Sequence, residues 1–119
     1  MRGAYFITDG LGRVKIGSAA NVEERLKQLK KEYLPRGARL ELVRIIEREE
    51  HPDEFFLERW LQKKYRAVRQ LGLWPKPGES RRRTGTREWF TYSEDMMTVQ
   101  PPSRDEIDVL LQKDWLARS

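Results

Sequence analysis

The sequence predicts a small α+β domain on three observations. Two short apolar runs, residues 3–8 (GAYFIT) and 13–17 (RVKIG), flank Asp9-Gly10-Leu11-Gly12, which tolerates positive φ and so predicts a hairpin. Apolar stripes at helical spacing follow Asn21, His51 and Ser103. Residues 39–47 (RLELVRIIE), between the first two stripes, are rich in apolar and β-branched residues and read as a third strand. A chain of 119 residues is long enough for one core and too short for two.

In the hairpin, Val14 and Ile16 alternate with Arg13, Lys15 and Gly17, the pattern of a half-buried strand. A three-residue loop with a Gly bulge places Tyr5 opposite Lys15 and keeps Phe6, Val14 and Ile16 on the core side. A two- or four-residue loop puts Tyr5 and Lys15 on opposite faces, so the three-residue loop is expected. Asn21 is a good N-cap, with Glu24 three residues on, as in a capping box. Val22, Leu26, Leu29 and Tyr33 form the stripe of this first helix, which Pro35 and Gly37 end.

His51-Pro52-Asp53 opens a second helix expected to run to about Gln70. Its buried face comprises Phe56, Leu57, Trp60, Leu61, Tyr65 and Val68. Residues 71–86 form a loop by composition, with two Pro, three Gly and three successive Arg. Glu88-Trp89-Phe90-Thr91-Tyr92 is an aromatic segment, either an extra strand or a core plug. Pro101-Pro102 precedes a last helix over 104–116, capped by Ser103 with Glu106 and apolar along Ile107, Leu110, Leu111 and Trp115.

Composition excludes several chemistries. There is no Cys and one His, so disulfide scaffolds, Cys-ligated zinc, iron–sulfur clusters and two-His zinc sites are ruled out within one chain. No run approaches the roughly 18 apolar residues of a membrane span. The opening MRGAYFITDG is no apolar leader, so a cytoplasmic setting is expected. The net charge of +5 is uneven. From Arg59 to Arg87 the chain carries ten Lys or Arg and one acid, Glu79, a local +9 against −4 elsewhere. Basic residues followed by an Arg-rich loop suit phosphate neutralisation. Lys63, Lys64, Arg66, Arg69, Arg81, Arg82, Arg83 and Arg87 are the candidate contacts, with Trp74 able to stack on a base. A solvated helix face followed by a loop explains the same charge.

The single His51 sits at a helix start and is a poor candidate for a catalytic base. The remaining hydrolytic option is a carboxylate holding a hard cation such as Mg²⁺, with Arg or Lys on phosphate oxygens. Glu58, at the border of the apolar face of the second helix, is the candidate carboxylate. By periodicity alone it also reads as a surface residue pairing with Gln62 or Lys63. Arg25 flanks the stripe of the first helix, and Tyr5 reads equally as a half-buried strand aromatic.

Taken together, Gly3-Ala4-Tyr5 with Phe6-Ile7, Lys15-Ile16-Gly17, Arg25, Glu58-Arg59-Trp60-Leu61 with Tyr65, and Glu88-Trp89-Phe90 resemble a GIY-YIG nuclease domain. The nearest pattern is the phage-type and bacterial subfamily with a KIG second motif. The resemblance covers roughly residues 2–95. Lys15 stands where that family's second motif carries Tyr, Ala4 where the first carries Ile, and Leu29 and Gln62 where His is frequent. It implies a three-stranded antiparallel sheet flanked by helices over 1–95, with 96–119 a linker and C-terminal helix packed on or beside it. It also implies a one-metal phosphodiesterase site with Mg²⁺ or Mn²⁺. In that site Glu58 would hold the metal and Arg25 would contact the scissile phosphate. Tyr5 would act as, or position, the base for the attacking water, its pKa lowered by Lys15.

The expected function is therefore a divalent-metal-dependent DNA endonuclease. The alternative is a catalytically weak or inactive DNA-binding module on the same fold. A third reading makes the C-terminal helix a partner surface through Leu110, Leu111 and Trp115.

Overall fold

Asp9 closes the first turn. Its carboxylate accepts hydrogen bonds from the Leu11 N–H and from Arg13 Nε, each 2.8 Å long. Gly10 and Gly12 take φ of 77° and 78°, where a side chain is strained. The turn joins β1 (Gly3–Thr8) to β2 (Arg13–Ala19), which pair antiparallel with Tyr5 opposite Gly17 and Ile7 opposite Lys15. The expected register is therefore corrected by two residues. Tyr5 and Lys15 share a face, as diagonal neighbours and not as a direct pair. Gly17 explains the choice. A Cβ there would stand 2.3 Å from the Tyr5 hydroxyl oxygen, so the Tyr5 ring lies where only Gly leaves room.

The computed structural model describes residues 1–70 and 88–112. Trp74, Arg81, Arg82, Arg83, Arg87 and Trp115 lie outside the described residues, and so does the Leu111 side chain. Strand β3 (Glu41–Glu47) pairs antiparallel with the other side of β1, and begins two residues later than expected. A short β4 (Trp89–Thr91) pairs with Arg13–Lys15 on the outer side of β2. The sheet thus has four strands in the order β3-β1-β2-β4, where three were expected. Trp89 and Phe90 explain the addition: both are fully buried, and as neighbours on a strand they point to opposite faces of the sheet.

Each face of the sheet carries its own core. On one, Ala4, Phe6, Val14, Ile16 and Phe90 pack with Leu57, Leu61 and Tyr65, and with Met96 and Val99 beyond. On the other, Tyr5, Ile7 and Trp89 pack with Val22, Leu29 and Tyr33, and with Ala38 and Leu40. The first helix, α1 (Val22–Tyr33), has the expected cap, with the Glu24 N–H donating to Asn21 Oδ1 at 3.1 Å.

The second helix, α2 (Asp53–Lys64), stops short of Gln70, and Val68 lies exposed in a 3₁₀ turn over 66–68. The sheet ends it. Arg69 bridges to Phe90, the Gln70 N–H donates to the Trp89 carbonyl at 2.8 Å, and the Tyr65 hydroxyl donates to Asp95 Oδ2 at 2.7 Å. A one-turn helix, α3 (Asp95–Thr98), was not foreseen. The last described helix is α4 (Arg104–Gln112), where the Glu106 N–H donates to Ser103 Oγ at 3.2 Å and Ile107 is buried. Among the described residues, no helix is long and apolar enough to cross a membrane.

Gly17→Ala is expected to destabilise the protein by about 1–3 kcal/mol through overpacking against the Tyr5 ring. The loss, measured by urea unfolding, should shrink in a Tyr5→Leu background. An unchanged urea midpoint in Gly17→Ala would refute the close packing of these two residues.

Candidate active site

The site begins with a gap in the sheet. The short β4 reaches only to Lys15, so the outward backbone groups of β2 beyond that point need other partners. The Ile16 N–H donates to the Glu88 carbonyl at 2.8 Å, just ahead of β4. The Ile16 carbonyl accepts from Gln62 Nε2 at 2.9 Å. Two residues on, the Ser18 N–H and hydroxyl both donate to the Glu58 carboxylate.

The spacings match. Glu58 and Gln62 are one helical turn apart, about 6 Å along α2. Ile16 and Ser18 are two strand residues apart, about 6.6 Å along β2. One row of α2 therefore seals the open strand edge, and that contact sets where the Glu58 carboxylate stands.

Three further residues gather around it. Tyr5 and Lys15 come from the sheet face packed on α1, and Arg25 comes from the exposed side of α1. Arg25 donates to the Tyr5 hydroxyl and lies at 3.5 Å, Nη1 to Oε1, from Gln28. The Lys15 side chain is only 3% exposed and is ion-paired with Glu88. It lies within electrostatic reach of Glu58, Arg25, Glu32 and Arg36. Arg36 flanks the site, its guanidinium 4.6 Å from the Tyr33 ring centroid and 3.0 Å from Glu32 Oε1.

Burial dominates the protonation of these groups. It lowers Lys15 from 10.5 to about 8, helped by Arg25 and opposed by Glu58 and Glu32. It raises Glu58 above the ordinary carboxylate range, despite Lys15 and the two Ser18 hydrogen bonds. It also raises Tyr5, and the hydrogen bond and charge of Arg25 do not reverse this. The expectation that Lys15 lowers the Tyr5 pKa is therefore corrected: desolvation of the phenol outweighs its nearby cation, and Tyr5 keeps its proton at neutral pH. Burial makes Lys15 hold its proton less tightly than an exposed lysine, with the Glu88 carboxylate opposing the loss.

Tyr5, Lys15, Arg25 and Glu58 thus come together, while the basic residues of α2 do not join them in one row. Lys64 lies 5.8 Å from the Trp60 ring centroid, on a row of α2 about 200° around from Glu58 and Gln62. Arg69 stacks 5.4 Å from the Phe90 ring centroid beside β4. Arg66 is exposed in the 3₁₀ turn, and Lys63 is half-buried on α2. His51 Nδ1 lies 2.6 Å from Glu54 Oε1, which also accepts from Arg2 at 2.9 Å, so His51 serves the start of α2.

Sequence reasoning named Gln62 as a partner of Glu58 and Glu88 as part of an aromatic segment, and missed Ser18 and Arg36 as neighbours of the site. Gln62 sits one turn from Glu58 but bonds to the Ile16 carbonyl, and Glu88 pairs with Lys15. Leu29 is buried in the core and Gln62 caps β2, so both positions have structural work here.

Among the described residues, no group of three or more His, Asp or Glu could cage a metal. Glu58 supplies a single hard-oxygen carboxylate, and burial leaves its charge short of compensation. That fits Mg²⁺ or Mn²⁺, which keep several waters and take further ligands from a phosphate.

The T5orf172 domain model matches residues 3–101, which include all four converging residues. No curated protein and no solved structure matches the chain. This match overturns the resemblance to the GIY-YIG family. The glycines that carried it are required by packing. A Cβ at Gly3 would lie 2.2 Å from the Ile46 carbonyl oxygen, and one at Gly17 would meet the Tyr5 ring.

The lowered Lys15 pKa has a consequence for stability. Between pH 8 and 10.5 the folded state holds fewer protons at this group than the unfolded state. Its contribution is full above 10.5 and is lost as pH falls through about 8. Stability of the wild type relative to Lys15→Met should therefore rise by roughly 2–3 kcal/mol from pH 8 to pH 10, as read by urea unfolding. The raised Tyr5 acts with opposite sign, and only above pH 10. A flat difference across this window would exclude a buried, pKa-depressed Lys15.

Proposed function

Because the chain belongs to the T5orf172 domain family, associated with nuclease-like and DNA-binding roles, we propose that it is a divalent-metal-dependent DNA endonuclease. The observation that carries the reading is the meeting of Glu58, Lys15, Tyr5 and Arg25 beside the open edge of β2. Phosphodiester hydrolysis needs positive charge where negative charge grows on the phosphate, and a group to receive the proton of the attacking water.

Glu58 holds Mg²⁺ or Mn²⁺, held in place by its two hydrogen bonds from Ser18. When bound, such an ion polarises a phosphoryl oxygen and acidifies water. Arg25, exposed on α1, binds the scissile phosphate and offsets its developing charge. Tyr5 keeps its phenolic proton and donates a hydrogen bond that orients the phosphate or the water. Lys15, in the fraction that burial leaves neutral, takes a proton from the water as its oxygen bonds to phosphorus, and the ester oxygen leaves as an alkoxide that takes a proton from solvent. Lys63, Lys64, Arg66 and Arg69, with Trp74, Arg81, Arg82, Arg83 and Arg87 of the following segment, supply salt-sensitive contacts to the DNA backbone.

The second reading is a DNA-binding module on the same fold that does not cut. The ion pair between Lys15 and Glu88 favours it, since an ammonium held by a carboxylate is a poor base. It predicts salt-dependent DNA binding without metal-dependent cleavage.

A plasmid assay separates the two. Nicking should require Mg²⁺ or Mn²⁺ and stop with EDTA. Glu58→Gln should lose cleavage while keeping DNA affinity. Arg25→Ala should cut about 10²–10³-fold more slowly, the scale of losing one preorganised donor to a developing oxyanion. Cleavage by Glu58→Gln at the wild-type rate would remove Glu58 from the site.

A further inference from the structure

We infer that Glu88 holds the Lys15 ammonium away from Glu58 and so leaves the Glu58 carboxylate open to a divalent cation. The inference rests on the metal-holding role proposed for Glu58 and adds a residue to which that reading gives no part. Glu88 is a positioning residue, since it acts through Lys15.

A buried ammonium needs an anionic partner, because an unpaired charge in the interior is strongly destabilising. Three carboxylates act on Lys15, and Glu32 lies, like Glu58, only within electrostatic reach. Glu88 makes the direct ion pair, while Glu58 lies within electrostatic reach and takes its own hydrogen bonds from Ser18. If Lys15 turned to Glu58, the ammonium would cancel the charge and occupy the lone pairs that a cation requires. A metal ligand must be both ionised and available.

The sheet fixes Glu88 where it can prevent this. Its carbonyl accepts the Ile16 N–H at 2.8 Å, and the next residue, Trp89, pairs with Lys15 and is fully buried. The Glu88 side chain is 40% exposed, yet its backbone is anchored on both counts beside Lys15. The carboxylate at the head of the Glu88-Trp89-Phe90 triplet thus acquires a role that packing of the two aromatics does not supply.

Mn²⁺ binding to the full chain without DNA, followed by the electron paramagnetic resonance of free Mn²⁺, tests this independently of cleavage. Glu88→Gln should weaken Mn²⁺ binding about 10-fold or more, the usual cost of losing a supporting partner of a metal ligand. Glu88→Asp, which keeps the charge, should restore most of the affinity. In a Lys15→Met background, Glu88→Gln should change nothing, because the competing ammonium is gone. Thermal unfolding checks that each variant is folded. If the wild type shows no Mn²⁺ site that Glu58→Gln removes, the reading of Glu58 falls and this inference with it. If the wild type binds through Glu58 and Glu88→Gln binds equally well, this inference alone falls. An equal loss with and without Lys15 would place Glu88 on the metal directly and overturn the role through Lys15.

Discussion

A strand edge that its neighbour covers only in part governs the rest of this molecule. β4 ends its pairing with β2 at Lys15, and β2 continues to Ala19 with outward N–H and C=O groups to satisfy. Leaving them buried and unpaired would cost about 1–3 kcal/mol each. Side chains of α2 take over, Gln62 at Ile16 and Glu58 at Ser18. A carboxylate is thereby held at a fixed place between the two cores by backbone geometry. The arrangement serves folding and presents a chemically competent group through the same contacts.

The second constraint is the charge that this edge collects. Lys15 has little access to water and stands within electrostatic reach of two carboxylates, Glu58 and Glu32, and two guanidinium groups, Arg25 and Arg36. Burial weakens its hold on the proton, and Glu58, Glu32 and the Glu88 ion pair oppose this. Tyr5 has no such opposition beyond Arg25 and remains a neutral donor. Environments that push titratable groups apart are how one small site divides the work of donating and accepting protons.

Local chemistry was legible in the sequence. Asn21 announced its helix, the Asp9–Gly12 turn announced the hairpin, and Ser103 announced α4. The alternation of Val14 and Ile16 put them together on one core face, but the half-buried strand it predicted is covered on both faces. What failed depended on contacts between distant segments. The pairing register turned on the Tyr5 ring lying over Gly17, twelve residues away in sequence. The end of α2 was set by β4, whose sequence lies beyond a long intervening segment. Tyr5, Lys15, Arg25 and Glu58 were each named, but Ser18 and Glu88 join them through strand edges that no local pattern marks. The family inference failed for a related reason: three-residue motifs built on glycine can be demanded by close backbone packing alone, and so are weak markers of descent.

The stitching of residues 69–70 to Trp89 and Phe90 also bears on how charge is placed on this molecule. Residues 59–69 carry five Lys or Arg and no acid, half of the ten bases between Arg59 and Arg87. They run from α2 into a stretch that the sheet itself holds, because Arg69 bridges to Phe90 and the Gln70 N–H donates to the Trp89 carbonyl. The same sheet supplies the strand edge on which Glu58 and Gln62 sit. One frame therefore fixes both a carboxylate and half of the densest positive charge in the chain, and a substitution that loosens β4 disturbs the two together.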